Sequence, residues 1–187
     1  VAETYNKNNK GLQALDTTLI RKSSLPILLL NDDYNESGRS VVVAIDPNAE
    51  IEKLEALNLR LLKNGEYLSQ YYGTKLSIIS CWSLEDESFL RNSVFSSLDD
   101  DEVDEILAQE KESHEQSLNT LLKKANLKGD FTLIVEKGAA DKIIPQFMED
   151  KENDILIMGT VGRTGLSGFF IGNTAENILK QIDCSLL

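Results

Sequence analysis

The stretch Asp154-Ile155-Leu156-Ile157-Met158-Gly159-Thr160-Val161-Gly162-Arg163-Thr164-Gly165-Leu166-Ser167-Gly168-Phe169-Phe170-Ile171-Gly172-Asn173-Thr174-Ala175-Glu176 decides the fold. Its first five residues read as a short buried strand and its last four open a helix. Between them lie five of the chain's eleven glycines, at 159, 162, 165, 168 and 172. A strand, a glycine-rich loop and a helix N-terminus in that order make a place for an anion. Glycine lets the backbone approach a ligand closely, and the unpaired N–H groups of a first helical turn favour negative charge. Arg163 is the sole basic side chain between Glu152 and Leu179, and it lies inside this loop.

Working outward, the same alternation of strand and helix recurs. Ser40-Val41-Val42-Val43-Ala44-Ile45 is a continuous apolar run ending in Asp46-Pro47, the pattern of a strand buried on both faces. Leu54, Leu57, Leu61, Leu62 and Leu68 follow at helical spacing until Gly73 stops the helix. Leu76 to Cys81 reads as a second strand, and Ile106, Leu107, Leu118, Leu121 and Leu122 mark a long helix. Phe131 to Val135 is a third strand, Lys142 to Met148 a short helix, and Asp154 to Met158 the fourth strand. Strands alternating with helices predict βαβ crossovers, hence an α/β fold with a mostly parallel, doubly wound sheet.

The polar stretch from Ser83 culminates in Asp99-Asp100-Asp101-Glu102-Val103-Asp104-Glu105. This run reads as a solvated loop and helix start, its carboxylates favouring the positive end of the helix dipole. A divalent-metal site is the sharper alternative, but nothing in the spacing defines a ligand set. His114, between Lys111 and Leu118 on the long helix, reads as a partly exposed helix residue rather than a ligand. Cys81 and Cys184 have no C-x-x-C spacing and read as small apolar residues in strands.

The 187 residues suit one domain with decorations, and 41 % apolar with 27 % charged residues is ordinary for a globular chain. A net charge of −12 argues against wrapping a nucleic acid, which needs clustered cations, yet leaves nucleotide binding through backbone amides available. No apolar run reaches the roughly 20 residues that span a bilayer, so no membrane partner and a cytoplasmic location are expected. Residues 1 to 11 are polar. Leu12, Leu15, Leu19 and Ile20 then give a helical stripe, Leu25-Pro26-Ile27-Leu28-Leu29-Leu30 gives a strand expected beside a sheet edge, and residues 31 to 38 form a turn-rich linker. At the other end, Asn173 to Ile182 is a helix and Cys184-Ser185-Leu186-Leu187 begins a strand, a weak internal repeat of the first pair.

The spacing Gly159-x2-Gly162-x9-Gly172, the following Asn173-Thr174-Ala175-Glu176-Asn177, the strand Val41 to Asp46 and the turn Glu136-Lys137-Gly138 resemble the universal stress protein family, tandem-domain members of the E type above all. The resemblance implies a Rossmann-like domain of the adenine nucleotide alpha hydrolase-like type, a five-stranded parallel sheet with helices on both faces in a three-layer sandwich. It divides the chain into residues 1–38, a polar tail with the closing helix and strand of a preceding domain and a linker, and residues 39–187, a second domain lacking most of its last strand. It implies pairing through the last strands, as a homodimer or a pseudo-dimer with the preceding domain.

The implied ligand is ATP or AMP, with magnesium accompanying ATP. Ala44, Ile45 and Asp46 would hold the adenosine end, Met158 would flank it, and Gly159, Gly162, Arg163, Gly172, Asn173 and Thr174 would meet the phosphates. Asp46 sits at the carboxyl end of a parallel strand, where such sheets bind ligands. A strand-ending Asp-Pro turn explains the same residue without a ligand. Arg163 is open to two readings as well, a solvated loop residue or a phosphate clamp.

One departure is plain. ATP-binding members place Ser or Thr after the last glycine, where this chain has Asn173. Asn173-x-x-Glu176 also fits a helix N-cap with an acidic residue at N3. There is no Walker A lysine and no nucleophile with an evident base. The expectation is therefore a binding module with no catalytic residues, no resident metal and at most slow ATP hydrolysis. The alternative is an interaction or dimerisation module of the same fold, its crevice empty or holding another small ligand.

Overall fold

The computed structural model describes residues 14–23, 25–30, 39–47, 52–84, 87–92, 98–149, 154–160 and 171–187. In chain order the elements are α1 (Ala14–Lys22), β1 (Val41–Ala44), α2 (Glu52–Tyr72), β2 (Leu76–Trp82), α3 (Glu87–Asn92) and α4 (Asp100–Ala125). β3 (Phe131–Lys137), α5 (Ala140–Met148), β4 (Ile155–Ile157), α6 (Asn173–Leu179) and β5 (Ser185–Leu186) complete it. The five strands form one parallel sheet in the order β3-β2-β1-β4-β5. Val41 lies opposite Leu76 on one side and Ile155 on the other, so β1 is paired along both edges.

Alternation of side chains sorts the core into two layers. Val41, Val43, Ile45, Ile155 and Ile157 pack on one face with Leu61 and Leu62 of α2 and Leu118, Leu121 and Ala125 of α4. Val42, Ala44, Leu156 and Met158 pack on the other with Ile144 and Met148 of α5 and Ala175, Ile178 and Leu179 of α6. Both faces of the sheet are covered, giving the expected three-layer sandwich. A third cluster of Trp82, Val103 and Leu107 lies where the first turns of α4 run past β2.

Local chemistry fixes the helix ends. The acidic run does start a helix: Asp99 caps α4, its carboxylate accepting from the Glu102 N–H at 2.9 Å while Glu102 accepts from the Asp99 N–H at 2.9 Å. Gly73 ends α2 at φ +64°, a conformation that favours glycine. Pro145 inside α5 cannot donate to the Asp141 carbonyl, and Gln181 Nε2 takes that acceptor instead at 3.2 Å.

Two expectations are corrected. Leu25 to Leu30 does not form a strand. It meets β5 in a single antiparallel bridge, Leu29 with Leu186, through hydrogen bonds of 2.8 and 2.9 Å. β5 offers only two residues to pair with, and Pro26 has no N–H to give. The segment is thus at a sheet edge, as expected, but as one bridge. His114 is not partly exposed. It is 0 % accessible, because it shares the buried stripe of α4 with Leu107, Leu118, Leu121 and Ala125.

α2 lies close on β1 because Gly65 has no side chain. A Cβ there would collide with Val43 Cγ2 and come within 3.0 Å of Leu76 Cδ1. We expect Gly65→Ala to destabilise the fold. Overpacking costs about 1–3 kcal/mol and exceeds the ~1 kcal/mol that alanine gains in a helix. The check is the urea midpoint, which should fall for Gly65→Ala and further for Gly65→Val. A midpoint at or above wild type would mean that helix and strand can separate freely.

Candidate functional site

In the order β3-β2-β1-β4-β5 the chain winds outward from β1 to β3, then returns to β1's other side with β4. The segment leaving β1 feeds α2 on one face, and the segment leaving β4 feeds α6 on the opposite face. Their divergence makes the carboxyl ends of β1 and β4 the topological switch point, the place where open α/β sheets bind ligands. Asp46 follows β1 and Met158-Gly159-Thr160 follows β4, so the fold brings these sequence-predicted residues to neighbouring strand ends.

The predicted residues divide by exposure. Ala44, Ile45 and Met158 are core, at 8, 6 and 8 % accessibility, so any contact from them must be made chiefly by backbone. Asp46, Gly159 and Gly172 are half-buried, while Asn173 and Thr174 are exposed. Gly162 and Arg163 lie outside the described residues. Gly159 has a packing role too: a Cβ on it would come within 2.9 Å of Leu57 Cδ2 on α2. The two ends of the glycine-rich segment are tied together, the Gly172 N–H donating to the Thr160 carbonyl at 2.9 Å.

The cap of α6 differs from expectation. Gly172 is the N-cap, extended at φ −64° and ψ 147° with no side-chain cap bond, and Asn173 is the first helical residue. Glu176 therefore sits one position past N3 and turns elsewhere. It pairs with Lys180 at 3.1 Å and with Arg21 of α1 at 3.7 Å, and Lys180 holds its carboxyl below the usual range. Asn173, relieved of the cap, is left exposed at the start of α6.

Asp46 is braced from α2, Asn58 Nδ2 donating to its carbonyl at 2.7 Å. On the neighbouring strand, Ser80 Oγ donates to the Ile45 carbonyl at 3.0 Å and lies 3.0 Å from His114 Nε2. Sequence reasoning missed this pair. The signal was there, since His114 falls at helical spacing from Leu107, Leu118 and Leu121. Among the described residues no group of three His, Cys, Asp or Glu side chains is placed to hold a metal ion, and no helix is long and apolar enough to cross a membrane.

These features define a doubly wound α/β domain with a topological switch point between β1 and β4 and a strand-end Asp46 whose backbone carbonyl is held by Asn58. The universal stress protein family model matches residues 38–187, and the chain belongs to that family. Over 98 % of its length it is 26 % identical to universal stress protein E homolog of Haemophilus influenzae, spanning 59 % of that protein. Over 92 % it is 28 % identical to universal stress protein E of Escherichia coli K12, spanning 53 % of it. The chain thus covers little more than half the length of the curated relatives it matches. Two solved structures share the fold. A Pseudomonas aeruginosa UCBPP-PA14 chain provisionally designated a universal stress protein superposes with TM-score 0.74 at 21 % identity, covering 99 % of this chain and 60 % of that one. UspA of Lactobacillus plantarum gives 0.61 at 12 % identity, covering 82 % and 98 %.

Cys81 is the penultimate residue of β2, and burial, then the charges of Glu136 and Asp46, push its thiol from 9.0 up to about 11. Burial pushes Cys184 up to about 12. A raised acid holds its proton at neutral pH, so neither thiol is nucleophilic there. Two units leave about 100-fold less thiolate at pH 8. We expect Cys81 to react with Ellman's reagent at least ~10-fold more slowly in native protein than in urea-unfolded chain. Equal rates would show that neither burial nor the charges of Glu136 and Asp46 suppress its thiolate.

Proposed function

We infer that this universal stress protein domain binds an adenine nucleotide, ATP or AMP, in the crevice between Asp46 and the glycine-rich segment. One observation carries the reading: β1 and β4 are neighbours whose following segments leave to opposite faces, so their carboxyl ends form an open switch point. At that point the half-buried Asp46 carboxylate can accept from a ribose hydroxyl or the adenine amine, and the backbone of Ala44 and Ile45 lines the base. Gly159, Gly162, Asn173 and Thr174 would offer amide hydrogens to phosphate, with Arg163 as the cation, while Gly172, its own N–H held by Thr160, would let the phosphate come close to the backbone. Magnesium arriving with ATP would ride on phosphate oxygens, as that ion does when few protein carboxylates are offered. The domain acts by binding, with at most slow hydrolysis, and works in the cytoplasm, where its two free thiols are at home.

A second reading has its own support. Leu25, Leu28 and Leu30 stand 74, 43 and 45 % exposed beside β5, and Asn173 lacks the hydroxyl of nucleotide-binding members. A module that pairs through this edge, with a second copy or a preceding domain, accounts for both.

Calorimetry with ATP and AMP, with and without magnesium, separates the two. On the nucleotide reading wild type binds, and Asp46→Ala and Gly162→Val each weaken binding about tenfold or more. Unchanged affinity in both variants would sink it.

A further inference from the structure

We propose that His114 and Ser80 are positioning residues that set the Ile45–Asp46 peptide at the mouth of the crevice; the ligand consequence rests on the nucleotide reading above. By residue type and their 3.0 Å separation the two look like a base and a nucleophile. Burial removes that role: Ser80 is 1 % and His114 0 % accessible, and the Ser80 proton is given to the Ile45 carbonyl. A serine hydroxyl has one hydrogen. With it donated to Ile45, the Ser80 oxygen must accept from His114, so Nε2 carries a proton. The chain runs His114 Nε2–H to Ser80 Oγ–H to the Ile45 carbonyl.

The β1–β2 ladder ends just there, the Ile45 N–H reaching the Ile79 carbonyl at 3.1 Å. Beyond it no strand bond orients the next peptide, and Ser80 takes over. In a trans peptide the carbonyl and the following N–H point in opposite directions, and the described residues include no cis bond. With the Ile45 carbonyl held toward β2, the Asp46 N–H is turned away from β2, toward the side of β1 where β4 lies and the crevice opens. Asn58 fixes the next carbonyl, that of Asp46, at 2.7 Å. A buried helix histidine thereby sets the direction of one amide donor at the ligand edge without touching the ligand.

His114 is the one histidine of the sequence, so its imidazole is observed alone by 15N NMR. The expected spectrum is an Nε2-protonated ring whose resonance moves in Ser80→Ala. Ser80→Ala and His114→Leu should shift the Ile45 and Asp46 amide resonances and weaken ATP about tenfold with the fold intact by urea titration. His114→Gln, which keeps a donor at similar reach, should restore both to within about twofold. If Ser80→Ala folds and leaves those amide resonances in place, the positioning role is overturned, whatever ATP does. If wild type fails to bind ATP while the amides move and Gln restores them, the nucleotide reading falls and the positioning role stands. ATP affinity unchanged in a Ser80→Ala protein whose amides have moved overturns the ligand consequence.

Discussion

The double pairing and double burial of β1 govern this molecule. Val41, Val42 and Val43 are at most 1 % accessible, with β2 on one edge and β4 on the other. A strand enclosed on four sides cannot carry polar side chains, so its sequence is a bare apolar run, and its chain can leave only at the ends. Helices must then cover both faces, and right-handed crossovers place the later strands on opposite flanks. The crevice is a by-product of that enclosure. Where β1 and β4 stop, the segments that follow them lead to helices on opposite faces.

Polar groups near the sheet are confined to its ends, and each end uses them to hold a strand terminus. At the entry to β1, Arg39 is 1 % accessible and donates to Ser185 Oγ at 3.1 Å, while the Ser40 N–H donates to Asp154 Oδ1 at 3.1 Å. At the exit, Ser80, His114 and Asn58 hold two successive carbonyls. Among the described residues no buried side-chain nitrogen or oxygen lacks a partner. Burying such groups is tolerable only when they are satisfied, so both ends are specified by geometry as well as by apolar contact.

What the sequence disclosed follows from period and punctuation. Continuous apolar runs at 41–45 and 155–157 revealed a parallel sheet because only doubly buried strands look like that, and Gly73 and Asp99 marked helix ends through rules of backbone chemistry. Of the candidate site, the placement of Asp46 and Gly159 at neighbouring strand ends was legible, because both follow apolar runs that read as parallel strands. Three features escaped. α3 was hidden in a polar stretch, because a six-residue helix with no buried residue carries no apolar stripe. The α6 cap went to Gly172 instead of Asn173 because the backbone bond to Thr160 fixes the chain one residue earlier. His114 was misjudged because polarity was read ahead of position. Its partner, Ser80, is 34 residues away in sequence, and nothing local announces such a bond.

The hydrogen bond between Gly172 and Thr160 separates what the scaffold needs from what a ligand would select. With β4 and α6 clasped at that point, the chain leaves and re-enters the sheet-and-helix frame at one fixed pair of residues, Thr160 and Gly172. Closing a longer or shorter excursion between them changes the free energy only slowly with length. Changes of sequence or length between Thr160 and Gly172 would thus leave the sheet unaltered.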